Sequence, residues 1–186
     1  MKTKPWTHLL LACAGLGLAL AGGFAQASVA ERLGLADLSA RAERVVVAHL
    51  ARASTAWDAS GRRMLTTFEF AVEQDLSGAG PAAFQIVQPG GAIGRWAQVA
   101  HGYPTFEPEE PLLLFLEQRT GRAPGLRVVG LSQGVFALEA RDGELRLRQR
   151  LSGLDFPGAD ARPLELGWDE AVSVIRAARR AAGVAP

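Results

Sequence analysis

The chain has 186 residues, 20 Lys and Arg against 19 Asp and Glu, a formal charge of +1, and 48% apolar residues. A balance this close to neutral gives no electrostatic basis for nucleic-acid binding. The single cysteine, Cys13, excludes an internal disulfide, and the length suits one domain with a sizeable core.

Met1-Lys2-Thr3-Lys4 is a short cationic start, followed from Leu9 to Ala21 by an apolar run without charge. Then come Gly22-Gly23 and Ala25-Gln26-Ala27, with small residues at the two positions a signal peptidase reads. Residues 1–27 therefore read as a cleavable secretory signal, with cleavage before Ser28. The run is shorter than the roughly 20 apolar residues a membrane-spanning helix needs, so the mature chain is expected to lack a transmembrane segment and to work in the periplasm or outside the cell. Leu10-Leu11-Ala12-Cys13 loosely resembles a lipobox, which leaves an envelope lipoprotein acylated at Cys13 as an alternative. Both lysines lie in the leader, so the mature chain carries 18 Arg against 19 carboxylates and has no thiol.

In the mature region Val29, Leu33, Leu38 and Ala42 share a helical spacing, which predicts a short N-terminal helix within 28–42. Val45-Val46-Val47-Ala48-His49-Leu50 is nearly continuous in its hydrophobicity, as in a strand buried on both faces. Across 67–73, Phe68, Phe70 and Val72 alternate with Thr67, Glu69 and Glu73, the period of a half-buried strand. Trp57-Asp58-Ala59-Ser60-Gly61-Arg62 supplies turn chemistry between the two, predicting a hairpin. Further strands are expected at 83–88, 112–117, 126–131, 135–140 and 144–151. Asp142-Gly143 makes a tight turn between the last two.

Residues 89–111 read as a long irregular loop, and such loops usually carry function or disorder. A second loop covers 152–163. The chain then ends in a helix over about 168–182, where Trp168, Ala171, Val172, Ile175, Ala178 and Ala182 form one stripe and Arg176, Arg179 and Arg180 are expected outward. The fold class read from these elements is mainly β, a small antiparallel OB-like barrel or sandwich with a short N-terminal helix and a docked C-terminal helix.

The runs Ala42-Glu43-Arg44-Val45-Val46-Val47-Ala48, Phe68-Glu69-Phe70-Ala71-Val72-Glu73-Gln74-Asp75-Leu76-Ser77-Gly78, Phe84-Gln85-Ile86-Val87 and Glu110-Pro111-Leu112-Leu113-Leu114-Phe115-Leu116 resemble, in order, the strand series of netrin-like domains. The likeness spans about residues 42–138. That family includes the tissue inhibitors of metalloproteinases, and the resemblance implies an OB-type barrel and an exported partner such as a metalloprotease. The pattern is also similar to that of small exported bacterial proteins. In the inhibitors an N-terminal cysteine presents its amine and carbonyl to the protease zinc. No cysteine follows Cys13 here, so the resemblance carries a fold and not that mechanism.

Gly130-Leu131-Ser132-Gln133-Gly134 satisfies G-x-S-x-G, but a nucleophile elbow needs a strand turning into a helix, and 135–138 reads as another strand. No histidine lies downstream. A small serine hydrolase using Ser132, with His49 or His101 as base, is the enzymatic alternative. A metal site on His49 and His101 would need a third ligand. Pro89-Gly90-Gly91-Ala92-Ile93-Gly94 lacks the lysine of a phosphate loop. Glu107, Glu109 and Glu110 read as a solvated acidic loop, and Arg146, Arg148 and Arg150 as a wet strand face. The leading expectation is a non-catalytic exported binding module, with no cofactor and no metal, whose contact residues are Arg95, Trp96, Tyr103 and Phe106.

Overall fold

A computed structural model describes residues 28–78, 80–120 and 125–184. The signal sequence expected over residues 1–27, with Cys13, lies outside them. The architecture is mainly β, with a short helix near each end of the described chain. The elements are β1 (Ser28–Val29), α1 (Leu35–Arg41), β2 (Arg44–Trp57), β3 (Met64–Asp75), β4 (Ala83–Pro89), β5 (Gly91–Ile93), β6 (Trp96–Gln98), β7 (Leu112–Arg119) and β8 (Gly125–Val128). A 3-10 turn (Leu131–Gly134), β9 (Val135–Arg141), β10 (Glu144–Gln149), β11 (Leu154–Asp155), β12 (Glu165–Gly167) and α2 (Trp168–Ala181) complete it.

Eight strands form one sheet in the order β12-β10-β9-β7-β2-β3-β4-β8, and β8 returns to pair with β7. That last pairing bends β7-β2-β3-β4-β8 into an OB-like ring. The ring is only partly closed, because β4 and β8 meet in parallel at a single pair, Ile86 with Leu126. β7 carries both halves of the sheet. One edge pairs with β2 along 112–116, while the other serves β9 at 112–114 and β8 at 116–119.

The unbroken apolar runs of β2 and β7 follow from this position. Val46, Ala48, Leu112, Leu114 and Leu116 point into the ring with Phe70, Phe84 and Ile86. Val45, Val47, Leu113 and Phe115 point the other way, into a second core built with Leu35 and Leu38 of α1 and Ala171 and Ile175 of α2. Both strands alternate, and both faces are dry.

Three sequence expectations need correction. The hairpin strands run well past 45–50 and 67–73, because residues 52–57, small apart from Arg52 and Trp57, pair with 64–69 as an arm beyond the core. The segment 89–111 is not a plain loop. β5 and β6 form a hairpin within it, laid on the arm where a Cβ on Gly91 would come within 2.4 Å of the Thr66 hydroxyl and 2.5 Å of a Thr55 methyl. Arg179 does not face outward. It is 1% exposed, and its guanidinium donates to the carbonyls of Ala42 at 2.8 Å and Glu43 at 3.4 Å. Trp168 is half-buried and packs against the second core, so α2 is docked.

Arg44 opens β2 and ties its start to the end of β3, donating from Nε to Asp75 Oδ2 at 2.8 Å and from Nη2 to the Pro81 carbonyl. Burial pushes the Asp75 carboxyl up, but hydrogen bonds from the Ser77 hydroxyl and N–H and from Arg44 outweigh it and hold the group below the usual carboxylate range. A carboxyl with a depressed folded value contributes stability above its unfolded value of about 3.9 and loses it as the pH falls toward the folded value. Asp75→Asn is therefore expected to lower the melting temperature at pH 7. The gap between variant and parent should close progressively below about pH 4, as read by thermal melts at stepped pH.

Candidate functional site

Ser132 is fully buried in the 3-10 turn between β8 and β9. Its hydroxyl donates to the Ser152 carbonyl at 3.2 Å, and its N–H to the Gly102 carbonyl. The chain leaves the turn directly into β9, so the serine locks two loops together and offers no lone pair to solvent. Ser132→Ala is expected to cost about 1 kcal/mol of stability, the worth of one internal hydrogen bond. A fluorophosphonate probe is expected to leave both parent and variant unlabelled.

The other polar candidates are held apart. His49 Nδ1 meets Glu73 Oε1 across the β2–β3 pair at 2.9 Å. His101 lies exposed near Ser28, the first described residue, where its carbonyl accepts from the Ser28 hydroxyl at 3.0 Å. Among the described residues no three His, Cys, Asp or Glu side chains are placed to share a metal ion. Glu107 and Glu109 are exposed. Glu110 is not part of a solvated acidic loop: it pairs with Arg150, and its Oε2 is buried. That pairing removes Arg150 from the wet cationic face, and Arg148 is bridged to Glu165 at 3.3 Å.

The four expected contact residues separate into three places. Phe106 is buried in the ring, edge-on to Phe68 and Phe70 with centroids at 5.0 Å in each case. It belongs to the core and not to a contact surface. Tyr103 is half-buried beside the β4–β8 seam. Arg95 and Trp96 are exposed at the turn of the β5–β6 hairpin, the guanidinium 5.3 Å from the indole centre.

The base of the hairpin lies on the outer part of the β2–β3 arm, with Gly91 beside Thr55 and Thr66. Trp57 stands opposite Met64, and the Met64 N–H donates to the Gln98 side chain at 2.8 Å, one residue before Val99. Trp96 is 59% exposed, Val99 76% and Trp57 45%. Arg62 and Arg63 in the arm's turn and Arg95 in the hairpin's turn are also exposed. Asp58 is tied into the arm's turn, where hydrogen bonds from the Ser60 hydroxyl, from the Arg62 and Arg63 N–H groups and from the Arg63 guanidinium at 3.2 Å hold its carboxyl well below the usual range. Trp57 and Val99 carry no local signal in the sequence beyond their residue type.

A second opening lies where the ring is weakly closed. Gln88 and Val87 of β4 face Arg127 and Val128 of β8 across a cavity of about 330 Å³, bounded also by Tyr103 and Leu131. Arg119 and Glu117 of β7 reach its rim, and Glu117 pairs with Arg127 at 2.9 Å.

The ring with its docked helices defines a class of small, mainly β protein with OB-like topology. Compared with known proteins, the chain matches no protein-family model, no curated protein and no solved structure. Its chemistry must be argued from its own residues.

Proposed function

We propose that this chain is an exported, non-catalytic binding module of the cell envelope or secretome, whose partner is another exported protein with an acidic surface. The observation that carries this reading is the exposed end of the arm, with Trp57, Arg62 and Arg63, together with the exposed Arg95, Trp96 and Val99 of the hairpin segment laid on that arm. Monomers rarely leave large apolar side chains grouped in solvent, and Trp and Arg are the residue types that dominate binding hot spots. The leader read over residues 1–27 supports export, and the OB-like ring supports the netrin-like resemblance.

The amine-directed mode of the metalloproteinase inhibitors finds no support here. The Ser28 N–H donates to the Gly153 carbonyl at 3.0 Å, and the hydroxyl is spent on His101. β1 holds both against β11.

The test is site-specific photo-crosslinking in intact cells, with the reactive group placed at position 96 and, as a control, at the exposed Arg176 of α2. The expected result is a discrete adduct from position 96 alone, weakened by salt, on protein whose mature N-terminus is Ser28. Equal adducts from both positions, or none from 96, would sink the binding reading. An acylated Cys13 or an uncut Met1 would replace the soluble exported form with a lipoprotein or a retained chain.

A further inference from the structure

The cavity at the β4–β8 seam has properties that the exposed end does not share, and they stand whether or not that end binds a partner. We propose that the seam binds the carboxylate of a short extended peptide, laid against β4 where the ring fails to close.

Strand pairing explains the opening. β4 is paired along its whole length to β3, whereas its other edge meets β8 only at Ile86. Past that residue, Val87 and Gln88 line the cavity with no strand beside them. An unpaired edge is a template for an added strand, and the main-chain bonds of such an addition give affinity for extended peptides irrespective of sequence. The apolar part of the walls, Val87, Val128, Pro104 and Leu131, suits alternate side chains of that strand. A volume of about 330 Å³ falls in the range of small-ligand sites.

Part of the polar wall is unspent. Gln88 is 5% exposed, yet its side-chain amide makes no hydrogen bond among the described residues, and neither does the Tyr103 hydroxyl or the Arg119 guanidinium. The buried side-chain atoms without a partner among the described residues are Arg44 Nη1 and Glu110 Oε2, so the Gln88 amide is not sealed off and is available to a guest in the cavity. Arg119 and Arg127 stand against one carboxylate, Glu117, so the rim is net cationic. Glu117 occupies Arg127 at 2.9 Å in the manner an incoming carboxylate would.

The backbone beneath the cavity is strained. Gly130 and Leu131 both adopt left-handed conformations, with φ of 63° and 62°. For glycine this carries no steric penalty, and a Cβ there would strike Leu33 at 2.7 Å. For leucine the conformation is an outlier of the kind retained at ligand sites. Leu131 is only half-buried and belongs to neither core, so packing does not account for it. It lies on the cavity wall.

The probes are three degenerate tripeptide pools: acetyl-Xaa3 with a free C-terminal carboxylate, the same pool amidated with Asp and Glu omitted, and an amidated pool with Glu fixed at the centre. Propionate alone is the fourth arm. Each is titrated against isotope-labelled mature protein and read by amide and side-chain NMR shifts. Saturable shifts at Gln88, Tyr103, Arg127 and Gly130 are expected from the free-acid or central-Glu pool, and whichever acts identifies the source of the carboxylate. The neutral pool should be at least tenfold weaker.

Arg119→Ala should weaken binding at least tenfold. Glu117→Gln, which frees Arg127, should strengthen it severalfold. Leu131→Gly should weaken binding without lowering the melting temperature, a result that a merely structural Leu131 would not give. Arg176→Ala is the unaffected control. Acidic and neutral pools that act alike, propionate that matches the peptides, or shifts away from the seam would each overturn the proposal, as would the absence of saturable shifts in every arm.

Discussion

Phe106→Ala is expected to destabilise the protein by about 3–5 kcal/mol, the usual cost of truncating a buried aromatic. Total stabilities lie at roughly 5–15 kcal/mol, so the loss is a large fraction of the whole. Phe106 comes from a segment rich in proline and acid, yet its ring sits edge-on to Phe68 and Phe70, and Phe70 in turn stacks on Phe84 at 5.1 Å. Removing it opens the ring's interior beside three other phenylalanines and releases residues 99–111 from their anchor. Trp96→Ala, in the same stretch of chain, is expected to fall within about 0.5 kcal/mol of the parent, as for an exposed side chain. Urea denaturation of both variants checks the contrast. A Phe106→Ala midpoint within error of the parent would mean that the segment is not held by its aromatic.

Arg179→Ala is expected to cost about 2–4 kcal/mol, with two separable parts. The guanidinium satisfies the carbonyl of Ala42, a residue 1% exposed at the C-terminal end of α1, and an orphaned buried acceptor costs about 1–3 kcal/mol. The long stem also fills space between α2, α1 and the start of β2, so truncation adds a cavity. Arg179→Met keeps most of the volume and loses the donors, and is expected to recover part of the loss but not all of it. Equilibrium unfolding followed by tryptophan fluorescence gives both numbers, with Trp168 on the same helix as reporter. Equal stability of parent and Met variant would show that the carbonyls are indifferent to Arg179.

The parts of the fold legible in the sequence are those set by nearest-neighbour pattern. The double-sided burial of β2 and β7 shows as apolar runs without alternation, β9–β10 is announced by Asp142-Gly143, and α2 by its stripe. What was not legible depends on partners distant in the chain. Residues 51–56 have no strong hydrophobic signal, because they stay largely exposed even though Met64 and Thr66 of their partner strand are buried. β5 and β6 are three residues each, too short for a period, and Gly91 is needed for closeness to Thr55 and Thr66, which lie elsewhere in the chain. Arg179 carries the charge of a surface residue, and nothing local reveals that the carbonyls it meets are 137 and 136 positions away. The seam site assembles Gln88, Arg119 and Arg127 from three strands with no motif among them. The positive φ of Leu131 sat inside a G-x-S-x-G motif that points to a different chemistry.

The shared strand β7 has a consequence for how the molecule comes apart. The ring needs β7 as the partner of β2 and β8, and the outer sheet needs it as the partner of β9. Releasing either half strips hydrogen bonds from an edge that the other half depends on, while Leu113 and Phe115 lose their cover from the helices as Leu112 and Leu114 lose theirs from the ring. Partial unfolding therefore has no cheap place to stop. The most protected amides in hydrogen exchange should be those of β2 and β7, opening together at the global free energy. Calorimetry should show one cooperative transition, with the terminal pairing of β1 and β11 free to fray below it.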